Sequence, residues 1–201
     1  MKVFIAIDSI KTVGNPSNLD DNINIFNWSR ESDNVFYADS SVFVLSQNMI
    51  EYLILTAKEN NSSQSRVCLH RDYQDVFHEM IIVLLNGHYV PPHKHDGKAE
   101  SFHVIEGKLA VVIFSNIGKV DEVIFLEKGK GFYRLSDDFY HMVVPLSDKV
   151  VFHEATNGPF VRGDMVISPW APDKNENSET ILEYQREIKR IIQIRMGELI
   201  R

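Results

Sequence analysis

Gly87-His88-Tyr89-Val90-Pro91-Pro92-His93-Lys94-His95-Asp96-Gly97-Lys98-Ala99-Glu100-Ser101-Phe102-His103-Val104-Ile105-Glu106-Gly107 is the stretch from which fold and chemistry are read. His93 and His95 are two apart, so on a strand both imidazoles point to one face. Asp96-Gly97-Lys98 is a tight reversal. Glu100 therefore returns on the neighbouring strand and can meet the two histidines. Two imidazoles and a carboxylate suit a divalent metal. A third histidine from a distant strand completes the shell, and His141, within the strand-like Phe139-Tyr140-His141-Met142-Val143-Val144, is the best candidate.

The surroundings of this stretch are rich in β signals. Runs at 66–70, 77–85, 88–92, 101–105, 108–115, 120–126, 131–136, 140–146 and 149–155 alternate with turn formers such as Glu106-Gly107-Lys108 and Asn116-Ile117-Gly118-Lys119. Short strands at about 8–12-residue spacing predict a sandwich or barrel. Before them, Ser46 is a plausible N-cap for a helix over 46–60, with Ile50, Leu53, Ile54 and Ala57 as its apolar stripe. A helix of this kind covers an open face of a core. Earlier still, Val35–Ala38 and Val42–Leu45 read as short strands, while Asn15–Asn18 and Asp20–Asn22 read as loops. At the other end, Ile181, Tyr184, Ile188, Ile191, Ile192 and Leu199 recur at helical spacing over 177–200, beside a charged face. The expected organisation is an extension over 1–45, a helix and linker over 46–64, a metal-binding barrel over 65–172 and an amphipathic helix over 173–201.

Composition narrows the function. The chain has 201 residues and a net charge of −7, a balance that argues against a nucleic-acid partner. The single cysteine, Cys68, excludes an internal disulfide framework. The apolar run Val3–Ile7 is too short for a secretion signal, and Met80–Leu85 is far short of the roughly 20 residues of a membrane span. A cytoplasmic protein with no membrane partner is expected.

The spacing Gly-x5-His-x-His-x4-Glu-x6-Gly, carried by Gly87, His93, His95, Glu100 and Gly107, resembles the first motif of the cupin superfamily. The resemblance implies an all-β core, an antiparallel jelly-roll barrel holding one metal through two histidines and a glutamate of this motif and one histidine of a second. His141 takes that last place by position, although Ser136, Asp138 and Pro145 stand where the second motif usually has Pro, Gly and Asn. A narrower resemblance, over about 44–173, is to the WbuC-type cupin metalloproteins of O-antigen, lipopolysaccharide and other surface-polysaccharide gene clusters. It is carried by Arg66 and His70, by Tyr89-Val90-Pro91-Pro92-His93, by Glu100-Ser101-Phe102-His103, by Phe152–Phe160 and by Pro169-Trp170-Ala171-Pro172.

The metal ligands expected are thus His93, His95, Glu100 and His141, with Fe, Zn, Mn or Ni as the divalent ion. Around them, Tyr133 shares strand parity with His141 and is a catalytic candidate or a core aromatic. Phe102, Val104 and Val143 should form an apolar wall. Arg66 and His70 reach the barrel mouth to hold an anionic group, or form salt bridges. Glu154 is an acceptor behind a ligand histidine or a surface residue. His88 and His103 should lie at the surface or an interface, and Trp170 should plug a barrel end. The function expected is a metal-dependent isomerase or epimerase acting on a sugar or sugar nucleotide. A non-haem iron dioxygenase and a non-catalytic sugar-binding or regulatory module are the alternatives, and a homodimer is expected from the apolar stretches at both ends.

Overall fold

The computed structural model describes residues 25–199. The loops expected at Asn15–Asn18 and Asp20–Asn22 lie outside the described residues. Twelve strands and two long helices are described. Strands β1 (Trp28–Ser32) and β2 (Val35–Ala38) precede helix α1 (Gln47–Glu59). Then follow β3 (Gln64–Cys68), β4 (Phe77–Leu85), β5 (His93–His95), β6 (Glu100–Glu106), β7 (Lys108–Phe114), β8 (Val120–Glu127), β9 (Tyr133–Leu135), β10 (Tyr140–Pro145) and β11 (Lys149–Asn157). A short 3-10 turn, Arg162–Asp164, leads to β12 (Met165–Ile167), and α2 (Ser178–Leu199) ends the described chain.

Two sheets face each other. One runs β1-β2-β3-β4-β11-β6-β9 and the other β12-β5-β10-β7-β8. Every pairing is antiparallel except β2 with β3, which the α1 crossover makes parallel. The strands enclose an apolar interior that includes Ile82, Leu84, Val104, Leu109, Val111 and Phe152.

The apolar run Met80–Leu85 is explained by this layering. Ile82 and Leu84 face the interior, while Ile81 and Val83 face outward under α1. Strand β7 does the same: Leu109, Val111 and Ile113 point in, and Ala110, Val112 and Phe114 point out beneath α2. Both strands are covered on both faces, so they lose the alternation of a half-exposed strand.

Helix α1 starts as expected. The Ser46 hydroxyl accepts from the Met49 amide at 3.3 Å, and Ile50, Leu53, Ile54 and Ala57 meet Phe36, Val67 and Val151. Helix α2 is capped by Asn177, whose side chain accepts from the Glu179 amide. Its Ile188 and Ile192 pack on Met142 and Val144, so this part of the stripe offered to a second copy covers the barrel itself.

Four local expectations are corrected. Val42–Leu45 is not a strand; Val42 and Val44 are mostly exposed, while Phe43 and Leu45 lean on the α1 cluster without a partner strand. Residues 88–92 are not a strand either, because Pro91 and Pro92 have no amide to donate, and pairing begins at His93. Strand β12, three residues after a turn, carried no periodic signal. Trp170 does not plug a barrel end; it packs outside, on Phe114 and Tyr140, and so close to Gly118 that a Cβ there would sit 2.8 Å from the indole.

Candidate metal centre

The Gly-bounded motif brings its three ligands together, but not on paired strands: β5 and β6 belong to opposite sheets, so Glu100 meets the histidines from the facing sheet and not from a hydrogen-bonded neighbour. Gly107 adopts φ +85° where β6 turns into β7, and a Cβ there would meet the Lys149 carbonyl at 2.3 Å. Strand β5 sends His93 and His95 inward, with Lys94 on the other face over the Tyr140 ring. His93 lies directly opposite His141 of β10 in the register. The three imidazoles converge, with ring centroids 4.5 Å apart for His93 and His141 and 5.0 Å for His93 and His95. One nitrogen of each lies within 4.8 Å of the others, and the trio could hold a metal ion.

Glu100 joins them from β6. Its carboxylate is 3.0 Å from His141 Nε2 and 3.8 Å from His95 Nε2, and is 5% exposed. Second contacts fix the rings. His93 Nδ1 donates to the Pro91 carbonyl at 2.9 Å, and His141 Nδ1 to the Phe139 carbonyl at 3.2 Å. A carbonyl only accepts, so each Nδ1 carries the proton and Nε2 is left to meet the other ligands.

Burial favours the neutral, ligating form of these rings. It pushes His93 down to about 3, with the neighbouring His141 adding to the effect. It lowers His95 as well, against the pull of Glu100. His141 differs: burial works to lower it, but the Glu100 carboxylate outweighs that and raises it. Three converging nitrogens, two of them on rings anchored through Nδ1, and one buried carboxylate therefore fit a divalent cation, which would displace the proton His141 shares with Glu100.

The histidines stand beside a cavity of about 290 Å³ between the sheets. Of the other candidates, Arg66, His70, Glu154 and Val143 line it. Arg66 and Cys68 point inward from β3, whereas Ser65 turns out to bond the Leu53 carbonyl of α1 and Val67 packs beneath that helix. Glu154 is enclosed rather than superficial. Burial first, and the Glu100 carboxylate second, push its carboxyl up to about 8. A bound dication would pull it back down.

Phe102 and Val104 do not line the cavity. Phe102 sits behind it, stacked on Tyr133 at 5.1 Å and edge-on to Phe152 at 5.3 Å. Tyr133 is buried in the same cluster, and burial, with the Glu100 carboxylate behind it, raises its hydroxyl. Arg71 pairs with Asp75 at the surface and Arg134 is exposed on β9, so neither joins Arg66 and Lys98 in the cavity lining.

His103 is exposed, as its parity implies, beside His153 in the register. His88 is not at the surface. It is buried, with Nδ1 2.6 Å from the Ser62 carbonyl, because the loop around Pro91 breaks the strand parity on which the expectation rested. The sequence reading missed His78, which lines the cavity with its ring stacked on His70 at 3.9 Å. It also missed Asn157 and Phe160, which line the cavity beside Lys98. Bonds between loops bring that rim together, among them the Phe160 amide to the Tyr73 carbonyl at 2.7 Å and the Gly158 amide to the Val76 carbonyl at 3.0 Å, and spacing carries no trace of them.

The fold is a two-sheet, largely antiparallel barrel of the kind that the resemblance to cupins implies. Two facing sheets, with three histidines and a glutamate converging between them, decide it. Residues 45–126 match the family model of a domain of unknown function, DUF6016, a segment that holds His93, His95 and Glu100 but not His141. No curated protein matches the chain. Among solved structures, the capsular polysaccharide assembling protein CapF from Staphylococcus aureus is similar at 20% identity and TM-score 0.45, over 54% of this chain and 32% of that one. Oxalate decarboxylase from Bacillus subtilis is similar at 18% identity and TM-score 0.40, over 47% and 24%. The cupin domain of Cnp3 from Schizosaccharomyces pombe is similar at 14% and 0.38, over 47% and 64%. The chain thus spans less than two thirds of each. Among the described residues no helix is long and apolar enough to cross a membrane.

Proposed function

We propose that this protein binds one divalent metal through His93, His95, Glu100 and His141 and acts on a sugar-sized polar molecule in surface-polysaccharide metabolism. The observation that carries the reading is the convergence of the three imidazoles with the Glu100 carboxylate beside a cavity. The bound ion, Fe, Zn, Mn or Ni by donor type, would polarise a carbonyl or hydroxyl of the ligand. The chain supplies the rest. The Pro91 and Phe139 carbonyls hold two rings in their ligating tautomer, and Glu154 presents a carboxyl to the cavity. That combination supports isomerase or epimerase chemistry. A cavity of about 290 Å³ is room for about ten waters at about 30 Å³ each, which matches one sugar ring better than a nucleotide sugar. The resemblance to WbuC-type proteins supports the polysaccharide context.

The test is metal content by plasma mass spectrometry on protein purified without a metal-affinity column. Near-stoichiometric metal in the wild type, lost in His93→Ala and His141→Ala, is the expected outcome. Binding unchanged in His141→Ala overturns the four-ligand site. Iron together with substrate-dependent oxygen consumption redirects the reading to a dioxygenase. A homodimer is also proposed, and sedimentation giving a monomer at micromolar concentration removes it.

A further inference from the structure

The cavity has two unlike walls. The histidines of β5 and β10 belong to one sheet, and Arg66 of β3 belongs to the other. Strand β3 is three steps from β6, about 14 Å at about 4.8 Å per step, and Arg66 is level with Val104, four residues along β6 from Glu100. Arg66 and the metal centre therefore stand well apart on the lining of one cavity.

Two cationic side chains line the cavity. Lys98 is engaged: its ammonium is 3.0 Å from the Asp164 carboxylate and donates to the Pro159 carbonyl at 2.7 Å. Arg66, among the described residues, forms no ion pair. Glu154 feels its charge without pairing with it. With a dication on the histidines, the charge around the cavity is positive whether Glu154 is ionised or not. The ion's two charges exceed that of Glu100, Lys98 and Asp164 cancel, and Arg66 adds one more. A neutral sugar would leave that excess unanswered.

We propose that the ligand is an acid of monosaccharide size, a sugar acid or short polyhydroxy acid, whose carboxylate sits on the Arg66 guanidinium while its other end faces the metal centre. This rests on the metal reading for that second end and for the positive excess. The planar guanidinium offers a carboxylate two parallel hydrogen bonds. Arg66 is partly in water, so the gain is about tenfold in affinity rather than thousands.

The experiment is calorimetric titration of the metal-loaded full chain with D-gluconate, D-glucuronate, D-galacturonate and L-tartrate, each against its neutral counterpart: glucitol, glucose, galactose and threitol. At least one acid should bind about tenfold more tightly than its counterpart. Arg66→Gln should erase that margin with metal content and melting temperature unchanged, and Arg66→Lys should keep part of it. Acids and neutral compounds binding alike, no acid binding at all, or a margin that survives Arg66→Gln overturns the proposal. Repeating the titration on chelated protein separates the two readings. An acid margin that persists in a protein that never takes up metal defeats the metal centre and leaves the Arg66 site standing; full metal occupancy with no acid margin does the reverse.

Discussion

Two helices cover the two outer faces of the barrel, and they do so unequally. Helix α1 is the shorter, yet it seats Ile50, Leu53, Ile54 and Ala57 against one sheet and is held at both ends by the parallel strands β2 and β3. Helix α2 spans 22 residues, but its buried apolar contacts are Ile188 and Ile192, while Leu182 and Ile194 are about half exposed. It follows the last strand and no described strand succeeds it. Anchoring follows from burial and chain connection, not from helix length.

The sharpest way to break this comparison is Leu53→Ala. Leu53 is fully buried, so its loss should cost about 3–4 kcal/mol in urea unfolding. Ile192→Ala should cost less, about 2 kcal/mol, because α2 can settle onto the vacated space. Amide exchange should then run faster throughout α2 than α1; equal protection would show that α2 belongs to the cooperative core.

His88 sharpens the comparison next, because it ties the two helices together. Its Nδ1 bonds the Ser62 carbonyl just after α1, and its own carbonyl accepts from Gln185 of α2. Burial lowers its pKa below the ordinary 6.5, and its Nε2 has no hydrogen-bond partner among the described residues. The unfolded chain therefore takes up a proton that the folded chain refuses. The associated stability is present above about pH 6.5 and is lost as pH falls below it. His88→Asn should flatten the acid limb of the stability profile relative to wild type; an unchanged limb would assign it to other histidines. The smallest effect is expected for Gln185→Ala. It removes the bonds to the Gly87 and His88 carbonyls and should cost about 1 kcal/mol, read as faster exchange at the start of α2.

The metal centre was legible because it is local. His93, His95 and Glu100 fall within eight residues; strand alternation puts the two histidines on one face, and the tight turn carries the chain to the facing sheet, from which Glu100 meets them. His141 needed only its place on an alternating strand. Phe102 was misplaced because alternation says that a side chain points inward but not how deep the cavity reaches. Phe102 and Phe152 both face the interior, and only Phe152 lines the opening. His88 was misplaced because two prolines broke the register from which its direction was counted.

The sequence by itself determined the barrel, the short segment that carries three ligands, and both helices with the capping serine of the first. Each of these is written in spacing within a few residues, where backbone geometry leaves few choices. Tertiary structure alone decided the other half of the cavity. Arg66, His78, Glu154 and Phe160 lie on strands and loops far apart in the chain and meet only when the sheets close. It also decided that, among the described residues, Arg66 is left without an ion pair while Lys98 has one, since charge pairing depends on distances across the fold that no local pattern encodes.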